Sequence, residues 1–337
     1  MKVLVLGGTR FVGLRLVRYL ASQGHDITIL NRGKTQAQLP QGVKRLYADR
    51  RDSEAVQSVL SGQEFEVVFD ITGYEARNLE PVVELFAGKI THYVFQSTGE
   101  VYAESRCLPV LEDFPGISGT TQEKGLAAYG PNKVQCEDYL FKKYQETKFP
   151  VTILRCPFIY GPENWMHDRE FSFFVRLLQG RAILLPGNGT TLLHFAHVDD
   201  VARAHLSVIG KEGTLGQAFN IAGAEAITIE GYIDTIAEVL GVKNVRKAYL
   251  DFQVMKNLEK PVFPFIWEQN IFYGIYRAKE CFGFWPAYSL KEGLRHTYQW
   301  WQKNLGIAKT RFQPGRLGYD VDLAYEDKLI EQYSQSP

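Results

Sequence analysis

The chain has 337 residues, 45% of them hydrophobic, with 38 basic and 38 acidic side chains and a sequence pI near 7.1. That length holds one large domain or two modest ones with a real core, while zero net charge leaves no overall electrostatic footprint for non-specific nucleic-acid binding. Cys107, Cys136, Cys156 and Cys281 have neither metal-ligand nor redox spacing, no apolar run is long enough to cross a membrane, and Met1-Lys2 runs straight into an apolar segment, so a soluble, cytoplasmic chain without a leader is expected.

Residues 3–6 are an unbroken apolar run that reads as a buried strand. Gly7-Gly8-Thr9-Arg10-Phe11-Val12-Gly13 follows, then a helix reaching Gln23 with apolar residues at Phe11, Leu14, Leu16, Val17 and Leu20. Strand, glycine turn and helix open a dinucleotide-binding βαβ unit. The turn lets the backbone approach a pyrophosphate, and the helix N–H groups face its charge. Gly7, Gly8, Thr9, Arg10, Phe11, Val12 and Gly13 are therefore candidate cofactor-binding residues, although Arg10 stands where the usual spacing has its middle glycine.

Residues 26–30 form the second strand, ending in Asn31-Arg32-Gly33-Lys34. An NAD site carries an acid here for the ribose 2′-hydroxyl. Asn31 with Arg32 and Lys34 suits a 2′-phosphate instead, because a guanidinium binds phosphate bidentately and a carboxylate repels it. NADP is the expected cofactor, with NAD as the alternative. Residues 43–52 hold a third strand and a charged turn. A helix follows at 53–60 with Ser53 as its N-cap, then a strand at 66–70, a helix at 78–86 and a strand at 92–96. This alternation predicts an α/β chain with a doubly wound parallel sheet.

Ser97-Thr98-Gly99-Glu100-Val101-Tyr102 ends that strand, and Tyr129-Gly130-Pro131-Asn132-Lys133 opens a helix running to about Thr147. Tyr129 and Lys133 stand four apart and share a helix face. An ammonium beside a phenol favours phenolate, the requirement for a tyrosine acid/base at neutral pH. Residues 150–155 form a sixth strand leading to Cys156-Pro157-Phe158-Ile159-Tyr160-Gly161-Pro162. His194-Phe195-Ala196-His197-Val198-Asp199-Asp200 and Phe219-Asn220-Ile221 come later.

Taken in that order, these segments resemble the extended short-chain dehydrogenase/reductase superfamily, in its epimerase/dehydratase branch, over residues 1 to about 300. The resemblance implies a Rossmann-type domain from 1–162 plus 191–224, a smaller substrate lobe from 163–190 plus 225–305, and a C-terminal extension at 306–337. It implies that Tyr129 is the catalytic tyrosine and that Lys133 is its partner and also holds the nicotinamide ribose. Thr98, beside Ser97, would hydrogen-bond the substrate hydroxyl, and Glu100 is a candidate dehydratase base. Asp49 would bind the adenine amino group with Arg50 beside it, and Pro157 joins the cofactor set. The expected function is an NAD(P)-dependent epimerase, dehydratase or reductase acting on a sugar or nucleotide-sugar hydroxyl/carbonyl, with a homodimer as the assembly typical of the family.

Four positions depart from the common pattern: Arg10; Asp70, where a small residue usually packs near the cofactor; Gly99, where one dehydratase branch has an acid; and Leu193, where nucleotide-sugar enzymes often place an arginine on the diphosphate. Arg169, Arg176 and Arg181 are the candidate substitutes for that arginine. Gly-Gly-Thr-Arg-Phe-Val-Gly, Asn-Arg-Gly, Ala-Asp-Arg-Arg-Asp and Phe-Asp-Ile-Thr-Gly further resemble the atypical branch that includes the chloroplast stem-loop-binding proteins, associated with RNA binding and cleavage. An RNA-binding protein or endoribonuclease, with a patch of Arg10, Arg32, Arg50 and Arg51, is therefore the alternative reading. A third is a cofactor-sensing scaffold whose interface is the aromatic segment 254–285 and the tail; as core, that segment would fill the substrate lobe. His194, His197 and Asp199 fall at a strand-to-helix junction, with Asp199 and Asp200 capping a helix from Val201, and no metal is assigned. A helix at 289–304 carries Trp300-Trp301, the chain is polar from 306, and a short helix is expected at 325–333.

Overall fold

The computed structural model describes residues 1–125, 127–166, 169–304 and 322–333. The chain forms two compact units, the first of Met1–Ile159, Val198–Ala222 and Tyr273–Ala287, the second of Tyr160–His197, Gly223–Phe272 and Tyr288–Pro337. In the first unit β1 (Lys2–Leu6), β2 (Asp26–Asn31), β3 (Lys44–Tyr47), β4 (Val67–Asp70), β5 (His92–Thr98) and β6 (Val151–Cys156) are interleaved with α1 (Phe11–Ser22), α2 (Ser53–Leu60), α3 (Glu80–Phe86) and α4 (Tyr129–Thr147). After a short β7 (Phe158–Tyr160), the chain supplies the second unit with α5 (Glu170–Leu178), β8 (Ile183–Pro186) and β9 (Leu192–His197). It returns to the first unit with α6 (Val198–Ser207) and β10 (Gln217–Asn220), then gives the second β11 (Ala226–Thr228), α7 (Ile229–Leu240), β12 (Lys247–Leu250) and α8 (Phe252–Lys256). Helix α9 (Tyr276–Phe282) belongs to the first unit, and α10 (Leu290–Asn304) and α11 (Leu323–Tyr333) to the second.

The seven-stranded sheet runs β3-β2-β1-β4-β5-β6-β10, and each neighbouring pair is parallel. Its inner strands are continuous apolar runs because helices cover both faces: Val3, Leu4, Val5, Val67, Val68, Phe69, Val94 and Phe95 are all fully buried. Strand order reverses between β1 and β4, so the crevice where such sheets take ligands lies at their carboxyl ends. Gly7, Asn31, Asp70 and Thr98 all lie at that edge, with Leu6 in register with both Leu30 and Asp70, and Asp70 with Phe95.

Local signals shift some element ends. Asp52, not Ser53, caps α2, its carboxylate accepting from the Ala55 amide at 3.0 Å. The helix expected from Asn78 begins at Glu80, after a 3-10 turn over Ala76–Asn78, with Pro81 in its first turn. Helix α6 begins at Val198 rather than Val201, so Asp199 and Asp200 lie inside its first turn. Asp199 sits 3.4 Å from the Arg15 guanidinium, and Asp200 accepts from the Ala287 amide at 3.0 Å.

The second unit pairs β9 with β11 antiparallel and β8 with β12 parallel. Its core is aromatic: Phe171, Phe173, Phe174, Tyr232, Phe263, Phe265 and Trp301 are buried, and Phe195 stacks on Tyr232 at 4.5 Å. Segment 254–285 is therefore mixed, with Phe263, Phe265, Tyr273, Phe282 and Phe284 buried but Trp267, Tyr276 and Trp285 exposed. No helix among the described residues is long and apolar enough to cross a membrane.

Helix α11 is held by charge. Arg176, 3% exposed, donates through Nε to Glu326 at 2.9 Å and through Nη2 to its other oxygen. Arg181 donates to the Leu323 carbonyl at 2.7 Å and pairs with Asp327, and Lys260 pairs with Asp322. Residue 305 and the remainder of the extension, 306–321 and 334–337, lie outside the described residues. Replacing Glu326 by Ala leaves a buried guanidinium without its counter-charge and should cost about 3–5 kcal/mol, read from urea unfolding. Asp327→Ala, at a half-exposed pair, should cost under about 1 kcal/mol. Equal effects of the two would contradict the burial of the Arg176 pair.

Candidate active site

The loop after β1 is shaped for a close approach. Gly7 and Gly8 have φ of 119° and 82°, in the region that favours glycine. A Cβ on Gly8 would lie 2.8 Å from Ile29 Cγ2, and one on Gly13 would lie 2.7 Å from the Gly8 amide nitrogen. The missing side chains thus let α1 pack directly onto the loop, leaving its first N–H groups facing the crevice. Arg10 is extended (φ −144°, ψ 147°), exposed, and makes no capping hydrogen bond, so this position has no need of glycine. Phe11, with φ 43° and a buried ring, carries the left-handed conformation instead. Thr9 is partly buried and Val12 buried. With no acid in the first turn of α1, these residues fit a pyrophosphate.

At the end of β2 the Asn31 side-chain Oδ1 accepts from the Gly33 amide at 2.8 Å and from Arg45 Nη2 at 3.0 Å, which fixes the turn and leaves Arg32 exposed. Asp49, just past β3, takes three hydrogen bonds from Arg51, at 3.1, 3.1 and 2.7 Å. The side-chain bonds from Arg51, against a small cost of burial, bring its carboxyl down to about 2, so it is ionised across the physiological range.

Arg50, next to Asp49, turns inward. Its Nη1 and Nη2 donate to the two oxygens of the fully buried Asp70 at 2.5 and 2.9 Å. Its remaining bonds go to Thr72 Oγ1 at 3.1 Å and the Asn78 carbonyl at 3.0 Å. The Tyr93 hydroxyl donates to Asp70 at 2.6 Å. Burial alone would push the Asp70 carboxyl up, but the Arg50 charge and the hydrogen bonds from Arg50 and Tyr93 outweigh it and hold the group below its ordinary range. The unusual acid at position 70 thus has its partner in the arginine after Asp49. Thr72 carries this pair to the phosphate loop: its hydroxyl donates to the Leu6 carbonyl at 3.1 Å, and its methyl would lie 3.0 Å from a Cβ on Gly7.

Thr98 ends β5, and its Oγ1 accepts from the Glu100 amide at 3.2 Å, closing the 3-10 turn Gly99–Val101. Gly99 is bare for a steric reason: a Cβ there would meet the Tyr273 hydroxyl at 2.3 Å. Gly130 is bare for another, since its Cβ would lie 2.8 Å from the Glu100 carbonyl oxygen, so the N-terminus of α4 rests on this turn. Tyr129, the first residue of α4, is partly exposed. Lys133, one turn on, is 2% exposed; its Nζ donates to the Gln96 carbonyl at 2.5 Å and lies 4.4 Å from the Phe95 ring centroid. Burial pulls its ammonium down to about 8, and among the described residues no carboxylate lies within ion-pair distance of it. A single bond to Gln96 leaves two N–H donors, which fits a ribose diol. Pro157 follows β6, partly buried.

Sequence reasoning placed Arg50 at the cofactor and missed the Arg50–Asp70–Tyr93 cluster; the paired departures at the ends of β3 and β4 were the available signal. It also missed Tyr74, whose ring lies 6.2 Å from that of Tyr129. Of the three arginines weighed for a diphosphate, Arg176 and Arg181 are held by α11, and Arg169 lies 5.6 Å over the Phe265 ring.

The profile of the NAD dependent epimerase/dehydratase family matches residues 3–222. The chloroplast stem-loop binding protein of 41 kDa b of Arabidopsis thaliana is 32% identical, covering 98% of this chain and 86% of its own length. An uncharacterized UDP-glucose epimerase of Bacillus subtilis is 26% identical over 87% of this chain and 96% of its own. In fold the chain is similar to the UDP-glucose 4-epimerase of Thermotoga maritima solved with UDP-glucose (TM-score 0.74, 24% identity, 90% of this chain and 99% of that one). It is similar also to the dTDP-glucose 4,6-dehydratase of Bacillus anthracis solved with NAD (TM-score 0.75, 21% identity, 90% and 97%).

A buried ammonium with no carboxylate beside it lowers stability. Lys133→Met should raise the unfolding free energy at pH 7 by about 1–3 kcal/mol. The folded-state value near 8 lies below the unfolded value of 10.5, so between them the unfolded chain holds a proton the folded chain has released. Wild-type stability therefore rises with pH across that window, and the gap to Lys133→Met should close by pH 10.5. A gap independent of pH in urea unfolding would refute the assignment.

Proposed function

The chain belongs to the NAD-dependent epimerase/dehydratase family, and on that footing we propose that it is a nicotinamide-dependent oxidoreductase or epimerase acting on a hydroxyl/carbonyl of a sugar or nucleotide sugar. The observation that carries this reading is the tie between α4 and β5: Lys133 is anchored on the Gln96 carbonyl, two residues before Thr98, with Tyr129 one turn before it on the same helix. In this reading Thr98 Oγ1 orients the substrate hydroxyl. Tyr129 Oη takes its proton as the carbon is oxidised and gives it back as the carbonyl is reduced, and the Lys133 charge favours the phenolate that takes it. When bound, the nicotinamide accepts and returns a hydride at its ring. The steric block at Gly99 by Tyr273 argues against the acid–base pair of a dehydratase, because position 99 has no room for the acid that one dehydratase branch carries there.

NADP is the cofactor we assign, with support from the absence of an acid at the end of β2 and from Arg32, exposed beside the fixed Asn31 turn. The ionised Asp49 is then an acceptor for the adenine amino group.

A second reading takes its support from the stem-loop binding relative. Its expected basic patch is smaller than the sequence suggests, because Arg50 is directed inward at Asp70 and Arg51 is paired with Asp49. Two of its four arginines are thereby committed, and we favour the enzyme. A salt titration with an RNA stem-loop should show no saturable binding at physiological ionic strength; a steep loss of affinity with salt would favour the second reading.

Tyr129→Phe should lower turnover on a panel of UDP- and dTDP-hexoses by about 10²–10⁴-fold while NADP⁺ affinity stays within about twofold. Turnover unchanged from wild type would overturn the mechanism. Arg32→Ala should weaken NADP⁺ by about tenfold or more and NAD⁺ little; equal losses would remove the 2′-phosphate assignment.

A further inference from the structure

We propose that Tyr74 is a positioning residue of this site: its ring closes an aromatic cage over the Lys133 ammonium and braces the ring of Tyr129. The role rests on the reading of Tyr129 and Lys133 as the reacting pair, but the cage itself stands on geometry. The Tyr74 centroid lies 5.5 Å from Lys133 Nζ and 6.2 Å from the Tyr129 centroid, at an interplanar angle of 49°. Phe95 supplies a second aromatic face, 4.4 Å from the ammonium, and the Gln96 carbonyl supplies the hydrogen bond.

The loop that carries Tyr74 is held for this purpose. Thr72 is fixed by its amide on Asp70 and its hydroxyl on the Leu6 carbonyl, at 3.2 and 3.1 Å. Gly73 has no room for a side chain: a Cβ would lie 2.6 Å from Phe95 Cε2 and 3.1 Å from Asp70 Oδ2. The loop is therefore pressed onto Phe95, and the next residue stands over Lys133. Tyr74 itself is 47% exposed, far more than a core aromatic, so packing does not account for it. What the ring does is shield an ammonium that lacks a carboxylate neighbour and offer its π-face in compensation.

The charged and titratable groups around Lys133 are Asp70 at the end of β4, Arg50 after β3, Cys136 and Glu137 on α4, and the phenols of Tyr129 and Tyr74. Asp70, Cys136 and Glu137 favour the ammonium, Arg50 opposes it, and burial outweighs them all. Removing the roof therefore acts on the dominant influence, whereas removing the Tyr74 hydroxyl alone leaves it in place.

The experiment uses the full chain and needs neither substrate nor turnover. Acetylation of Lys133 by acetic anhydride is followed by mass spectrometry as a function of pH, in wild type, Tyr74→Phe, Tyr74→Leu and Tyr74→Ala. The midpoint should move up by about one pH unit or more in Tyr74→Ala, as water reaches the ammonium, and by a few tenths at most in Tyr74→Phe. Tyr74→Leu, which keeps apolar bulk without a π-face, should move the midpoint down, because the ammonium stays covered but loses the ring that compensates it, and it stands in if Tyr74→Ala does not fold. An unmoved midpoint in Tyr74→Ala and Tyr74→Leu, or one that moves as far in Tyr74→Phe, overturns the cage. Because the readout is the titration of Lys133, its failure is separable from failure of the Tyr129→Phe test. Where both hold, the pH profile of turnover should shift in Tyr74→Ala in step with the acetylation midpoint.

Discussion

Arg50 and Asp70 meet beneath the switch point of the sheet, and the geometry of the crevice follows from that contact. Two charges taken out of water are costly unless each finds most of its partners. Here the carboxylate receives both guanidinium nitrogens, the Tyr93 hydroxyl and the Thr72 amide, while the guanidinium also reaches the Asn78 carbonyl. The bonds come from the segment after β3, the end of β4, the second residue of β5 and the turn before α3, so the pair ties these elements to one another. It reaches the loop after β1 through Thr72, and Lys133 through the field of Asp70, which Arg50 opposes. Because the two charges act against each other at Lys133, burial is left to set the state of that ammonium.

This arrangement explains why the positions that break the family pattern are not random. A small residue at the end of β4 would leave Arg50 without its counter-charge, and a neutral residue at 50 would do the same to the buried Asp70. Gly99 and Tyr273 form another such couple, since the bulk missing from one is present in the other. Arg10 differs: its extended backbone tolerates a side chain, and the residue after it, Phe11, is left-handed.

The sequence made the alternation of strands and helices legible because the inner strands are apolar on both faces and the glycines of the first turn cannot be replaced. Tyr129 and Lys133 were legible from their spacing on one helix face. Arg50 was not, because Asp49-Arg50-Arg51-Asp52 presents a run of charge with no period to say which side chain turns inward. Arg176 looked free for a phosphate because its counter-charge, Glu326, is 150 residues away in the chain. Ser53 was read as a cap because it is a good one, but Asp52 stands one residue earlier and reaches the Ala55 amide.

Where the molecule accepts unfavourable contacts is informative. In the second unit the buried guanidinium of Arg176 is matched by a carboxylate from another helix. In the first unit three unfavourable features lie at the carboxyl ends of the strands: left-handed Phe11, the ammonium of Lys133 with no carboxylate within ion-pair distance, and the Ser97 hydroxyl, buried with no hydrogen-bond partner among the described residues. Selection for stability alone would remove them, since each has a cheap substitute. Their place along one edge of the sheet fits the proposed site, because groups shaped for a ligand are satisfied only when it is bound.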